Sequence, residues 1–151
     1  MKIKIICVGK IKEAYLEEGI QNFLVQIGSR YPIEMIELPD EKTPQGASPA
    51  LEDRIKDTEG KRILSKISPA DSVFALCIEG KQYSTPALKA RIEVLKKEGK
   101  ENIDFIIGGS LGLSPEVVSR SKDKISFSSM TFPHQLMRLI LLEQLSRVLC
   151  E

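Results

Sequence analysis

The sequence predicts an α/β fold: a five-stranded, mostly parallel sheet with helices on both faces. Three observations carry that expectation. Five short β-rich runs alternate with helical patterns, which is how βα units with parallel strands read. Three of the runs are almost unbroken in apolar residues, as strands covered on both faces must be. Between them, apolar residues recur at helical spacing.

The strands are expected at Lys2 to Val8, Ile33 to Leu38, Ser72 to Ile78, Ile103 to Ile107 and Lys124 to Phe127. Leu16, Ile20, Phe23, Leu24 and Ile27 place an amphipathic helix over 13 to 28, ended by Gly28. Leu51, Ile55, Ile63, Leu64 and Ile67 mark a second helix, preceded by a Pro-, Gly- and Ser-rich loop from Asp40 to Pro49. Leu88, Ile92 and Leu95 give a third, over 86 to 98. The last helix, Pro133 to Leu149, is apolar around almost its whole circumference. Such a helix must be buried. One sheet face covers only one side of it, so its other side is expected to meet a second subunit in a twofold homodimer.

The 151 residues fit a single domain over 1–151. A hydrophobic content of 42% with 28% charged residues describes a folded chain and excludes extended disorder. The net charge of +1 announces no nucleic-acid partner by itself, because phosphate affinity rests on clustered cations. Lys2, Lys4, Lys10 and Lys12 form a local basic edge, read either as a solvated face or as an RNA-facing patch. Cys7, Cys77 and Cys150 are far apart, without the close pairs of zinc or redox sites, which fits a reducing cytoplasm. Met1 opens straight into a strand pattern, so no secretory leader is expected. The window Leu136 to Leu149 is interrupted by Arg138, Glu143, Gln144 and Arg147 and is not a membrane span.

Two segments can carry chemistry. Gly108-Gly109-Ser110-Leu111-Gly112 follows a strand, where glycines let backbone approach a ligand. Its spacing is neither a dinucleotide fingerprint nor a phosphate loop, and a plain tight turn reads equally well. The second segment, Ser126 to Arg138, joins a strand to the last helix, and ligands in α/β proteins settle at such crossovers. Its serines and Thr131 suit capping and turns, since no nucleophile elbow surrounds them. His134, the chain's only imidazole, falls in the helix's first turn, where the dipole favours the neutral ring; it either bonds a substrate or satisfies nearby backbone. A His-rich metal site is impossible. Arg138, one turn on, is open to binding a phosphate or an acidic side chain, or to an ordinary surface ion pair. Glu143 and Arg147 are spaced to pair along the helix.

These residues resemble the SPOUT methyltransferases, and among them the bacterial ribosomal large subunit methyltransferase H family. The resemblance spans nearly the whole chain: Ile5-Ile-Cys-Val-Gly-Lys-Ile-Lys-Glu, Leu38-Pro-Asp-Glu-Lys, Gly60-Lys-Arg-Ile-Leu, Phe105-Ile-Ile-Gly-Gly-Ser-Leu-Gly-Leu, and Ser126-Phe-Ser-Ser-Met-Thr-Phe-Pro-His-Gln-Leu-Met-Arg with Glu143-Gln144. It implies a C-terminal trefoil knot, an obligate homodimer, and methyl transfer from S-adenosyl-L-methionine, without a metal, to N3 of a pseudouridine in helix 69 of 23S rRNA within the assembled ribosome. Carried over by motif, the cofactor contacts fall on Leu76, Gly108, Phe127, Ser128, Ser129, Met130, Thr131 and Phe132. The family pattern also implies a tail ending in a Tyr-His-Lys group on the substrate side; this sequence ends on Leu149-Cys150-Glu151, and Ser146 stands where Tyr is usual. Two expectations follow: that His134 and Arg138 serve the catalytic side, or that the chain binds S-adenosylmethionine or the ribosome with weakened turnover.

Overall fold

A computed structural model describes residues 1–151. Five strands alternate with five helices: β1 (Lys2–Val8), α1 (Ala14–Gly28), β2 (Ile33–Leu38), α2 (Pro49–Leu64), β3 (Ser72–Gln82), α3 (Thr85–Lys97), β4 (Asn102–Ile107), α4 (Pro115–Arg120), β5 (Asp123–Ser126) and α5 (His134–Cys150). The strands lie in the order β2-β1-β4-β3-β5, and every pairing is parallel. After its first residue, each position of the central strands β1 and β4 is buried, which is why both read as unbroken apolar runs. Edge strand β2 leaves Glu34 and Glu37 exposed.

The sheet separates two cores. On one face Ile3, Ile5, Cys7, Phe74, Ile103 and Phe105 pack under α1, α3 and α5, with the rings of Phe74 and Phe105 stacked at 4.9 Å between centroids. On the other, Ile6, Val8, Val73 and Ile106 meet Ile63 of α2 and Val117 of α4. Three helices begin on one device: Ser48, Ser84 and Ser114 each accept a backbone N–H with their hydroxyls, and a proline follows in the first turn.

Four expectations need correction. Residues 115 to 120 form α4, which the sequence reading left out because six residues are too few for a periodic signal. Helix α2 stops at Leu64, so Ile67 packs on the smaller core from outside it. Strand β3 does not stop at Ile78 but runs on to Gln82. Helix α5 lies against α1 and α3 as well as the sheet, so Leu141, Leu142, Leu145, Val148 and Leu149 are buried within the chain itself. Leu136, Met137, Leu139, Ile140 and Cys150 remain half-buried. Its all-round apolarity is therefore accounted for in large part by neighbouring helices of the same chain.

Candidate functional site

The extension of β3 builds one wall of the site. Leu76 and Lys81 both pair with Ile125, so Cys77 to Gly80 stand out of the ladder between them. Gly80 lets the chain return: a Cβ there would lie 2.7 Å from both Ile125 N and the Lys124 carbonyl carbon. No side chain fits at that distance.

A second wall is the turn after β4. Gly112 N donates to Gly109 O at 3.0 Å, with Gly112 in the left-handed region at φ 87°. A Cβ on Gly108 would lie 2.8 Å from Leu113 Cδ2 and 3.0 Å from the Gly112 carbonyl, so a larger residue there would have to shift the turn. The crossover from β5 to α5 supplies the third wall. Ser126 Oγ donates to Ser128 O at 3.0 Å, and Met130 N donates to Ser128 Oγ at 3.0 Å. The serines thus form the turn, as their residue type suggests.

Together these segments enclose a cleft of about 720 Å³ outside the carboxyl ends of β3, β4 and β5. Of the residues singled out from sequence, Leu76, Gly108, Phe127, Ser128, Met130, Thr131, Phe132 and His134 line it. Ser129 is exposed and lies outside the lining. Half of the 24 lining residues are hydrophobic, and the glycine turn adds backbone polar groups. A flat apolar ring with polar edges fits such a lining, and an adenosine carrying a sulfonium side chain has that chemistry. No group of three or more His, Cys, Asp or Glu is placed to hold a metal ion.

His134 opens α5 beside the cleft, with Nε2 turned toward Gly9. Burial, and after it the Arg138 charge, push its imidazole below the ordinary value of 6.5, so the ring is neutral at pH 7. Arg138 is completely buried. It donates to Glu37 Oε2 at 2.7 Å, Val8 O at 3.0 Å and Gly9 O at 2.8 Å, and Glu37 Oε2 also accepts Ile11 N at 3.3 Å. Of the readings open for Arg138, the acidic side chain is the one met: its buried guanidinium ties the ends of β1 and β2 to the start of α5 through Glu37, whose own side chain is 36% exposed. The reason is topological: parallel pairing brings Glu37 and Arg138, 101 positions apart, under one helix end. The guanidinium is no part of the cleft wall. Glu143 pairs with Arg147 along α5.

Sequence reasoning missed Cys77, Ile78 and Glu79, which line the cleft through the β3 excursion, and Lys56 and Lys124 beside them. The signal was Gly80-Lys81, which reads as a simple turn until the return over β5 is known.

A family model described as "Predicted SPOUT methyltransferase" matches residues 1–150. The ribosomal RNA large subunit methyltransferase H of Exiguobacterium sibiricum is 51% identical over 147 residues, 97% of this chain and 92% of the relative. That of Bacillus cytotoxicus is 52% identical over the same shares of both chains. Among solved structures, the ribosomal RNA small subunit methyltransferase E of Neisseria gonorrhoeae, bound to S-adenosyl methionine, superposes with a TM-score of 0.54 at 9% identity, covering 98% of this chain and 66% of that one. At that identity the likeness speaks for the fold alone.

Proposed function

Because this chain belongs to the SPOUT methyltransferase family, we propose that it is an S-adenosyl-L-methionine-dependent methyltransferase acting on large-subunit ribosomal RNA, at N3 of a pseudouridine in helix 69 of 23S rRNA. The observation that carries the reading is the cleft itself: three glycine- and serine-shaped bends at neighbouring strand ends, apolar inside, with a neutral imidazole at the edge.

When bound, the donor supplies an electrophilic methyl on a sulfonium. The chain's own residues do the rest. Leu76, Phe127, Met130 and Phe132 offer apolar surface to the adenosine, while Gly108 and the backbone of the crossover offer polar edges. Ser129, outside the lining, belongs to the proposal as part of the same turn. In this reading His134, neutral and half-buried at the edge of the cleft, accepts the proton that N3 must lose. Arg138 acts behind it, holding the Gly9 carbonyl and the first turn of α5 in place. Most of the acceleration is assigned to positioning.

A homodimer belongs to the same proposal, supported by the half-buried apolar positions of α5 and by Tyr15 and Val25, which leave α1 72% and 73% exposed. So does the trefoil knot, which family membership supports, and so does a cytoplasmic location, where ribosomes are found. No helix is long and apolar enough to cross a membrane.

Incubation of 70S ribosomes with the protein and methyl-labelled donor, followed by mass mapping of the rRNA, tests the reading. Label on one pseudouridine of 23S rRNA is expected. Label elsewhere, or none, contradicts it.

A further inference from the structure

Glu59 is an acid on the inner face of α2, only 5% exposed, and it lies outside the cleft lining. Its carboxyl group meets two different segments. Oε2 accepts Glu41 N at 2.9 Å, at the start of the loop that leaves β2. The carboxyl also faces the turn after β4, where a Cβ built on Gly109 would sit 3.2 Å from Oε1 and 3.5 Å from Oε2, with Val8 Cγ1 at 3.3 Å. The neighbouring Gly60 closes on the exit of that turn, since a Cβ there would lie 2.3 Å from Ser114 Oγ. Arg62 holds the same loop start by donating to Pro39 O at 2.9 Å. One turn of α2 therefore touches both the turn after β4 and the loop carrying Asp40, whose charge reaches His134.

A carboxylate buried with one backbone donor is a costly filler, because an apolar side chain in its place would carry no desolvation penalty. Its value must lie in what it holds. We infer that Glu59 is a positioning residue that couples the donor-side turn Gly108 to Gly112 to the acceptor-side loop at Asp40 and Glu41. This inference rests on the proposed function for its labels of donor and acceptor side. The contacts themselves do not depend on it.

The test is a double-mutant cycle of Gly109→Ala and Glu59→Ala, with Glu59→Gln as the conservative control. Gly109→Ala pushes a methyl against the carboxylate. It is expected to raise KM for ribosomes about fivefold at saturating donor in the parent, and by less than about twofold in the Glu59→Ala background, where Val8 Cγ1 at 3.3 Å is the contact that remains. Glu59→Gln, whose carbonyl oxygen can accept the same N–H, should stay within about twofold of the parent. Amide exchange at Glu41 gives a second arm that needs no turnover: it should quicken in Glu59→Ala and in Gly109→Ala, and no further in the double variant. Additive effects in both arms, or a Glu59→Ala variant that loses thermal stability alone, overturn the inference. Parent protein that transfers no methyl to ribosomes sinks the functional reading instead, and the Glu41 amide then decides the coupling.

Discussion

At the amino ends of the strands, Lys4, Asp71 and Asp104 close on one another in the interior; at the carboxyl ends, Gly80, Gly108 and Gly112 hold backbone in tight bends around an open cleft. Lys4 Nζ lies 2.8 Å from Asp71 Oδ2 and 3.7 Å from Asp104 Oδ2, and it also donates to Lys66 O at 2.8 Å. Both oxygens of Asp104 and Oδ1 of Asp71 lack any other partner. Burial and the neighbouring Asp71 push Asp104 up to about 8, and a protonated Asp104 supplies the donor that Asp71 needs. Against its own burial, the hydrogen bonds from Asp104 and Lys4 hold Asp71 down to about 2. The two values describe a coupled pair sharing one proton. One end of the sheet thus holds its charged groups against one another in the interior, and the other leaves an open cleft. The same parallel register produces both, since it aligns Lys4 with Asp104 and carries Cys7 to Ile107 just short of the bends.

The largest expected effect breaks the closed end. Lys4→Met leaves the Asp71 charge uncompensated in the interior and should cost about 3–5 kcal/mol by denaturant titration. A cost near zero would mean that the acids are hydrated and the end is not closed. Gly80→Ala attacks the open end, because its methyl meets β5 backbone at 2.7 Å. It should cost about 1–3 kcal/mol and weaken S-adenosylhomocysteine binding in calorimetry. Retained binding would separate the β3 excursion from the cleft.

The smallest effect sharpens the contrast through pH. An unfolded Asp104 loses its proton near 3.8, whereas the folded one keeps it to about 8. The native state therefore binds more protons across that window, and this group's contribution to stability falls as pH rises from about 4 to about 8. Asp71 has the opposite sign: its contribution is present above 3.8 and is lost as pH falls toward 2. Asp104→Asn keeps a donor for Asp71 without the titration. It should gain about 1 kcal/mol at pH 8 and flatten the slope of Tm between pH 5 and 8. An unchanged slope would place the proton elsewhere.

Most of the fold was legible because it depends on local rules: apolar runs for buried strands, helical spacing for α1 and α3, turn chemistry at Ser126 to Met130. Helix α4 escaped for lack of length, although Ser114-Pro115-Glu116 carries the same start signal as Ser48-Pro49. The charged end was illegible for another reason. Lys4 and Asp104 are ordinary surface residues until the pairing of β1 with β4 makes them neighbours. Arg138 stood out beside His134, but its ties to Glu37, Val8 and Gly9 depend on β1 and β2 meeting α5, which no local pattern shows; Glu59, held by Glu41 N, was hidden for the same reason. Segments that line the cleft could therefore be picked out locally, while the contacts that tie them to other elements could not.

The account turns on the cleft as the donor site, and a crystal structure with S-adenosylhomocysteine tests that most directly. The adenosine is predicted between Leu76, Gly108 and the run Phe127 to Phe132, with His134 beside its open side. Density for the ligand at any other place on the chain, with this cleft filled by solvent alone, would contradict the account.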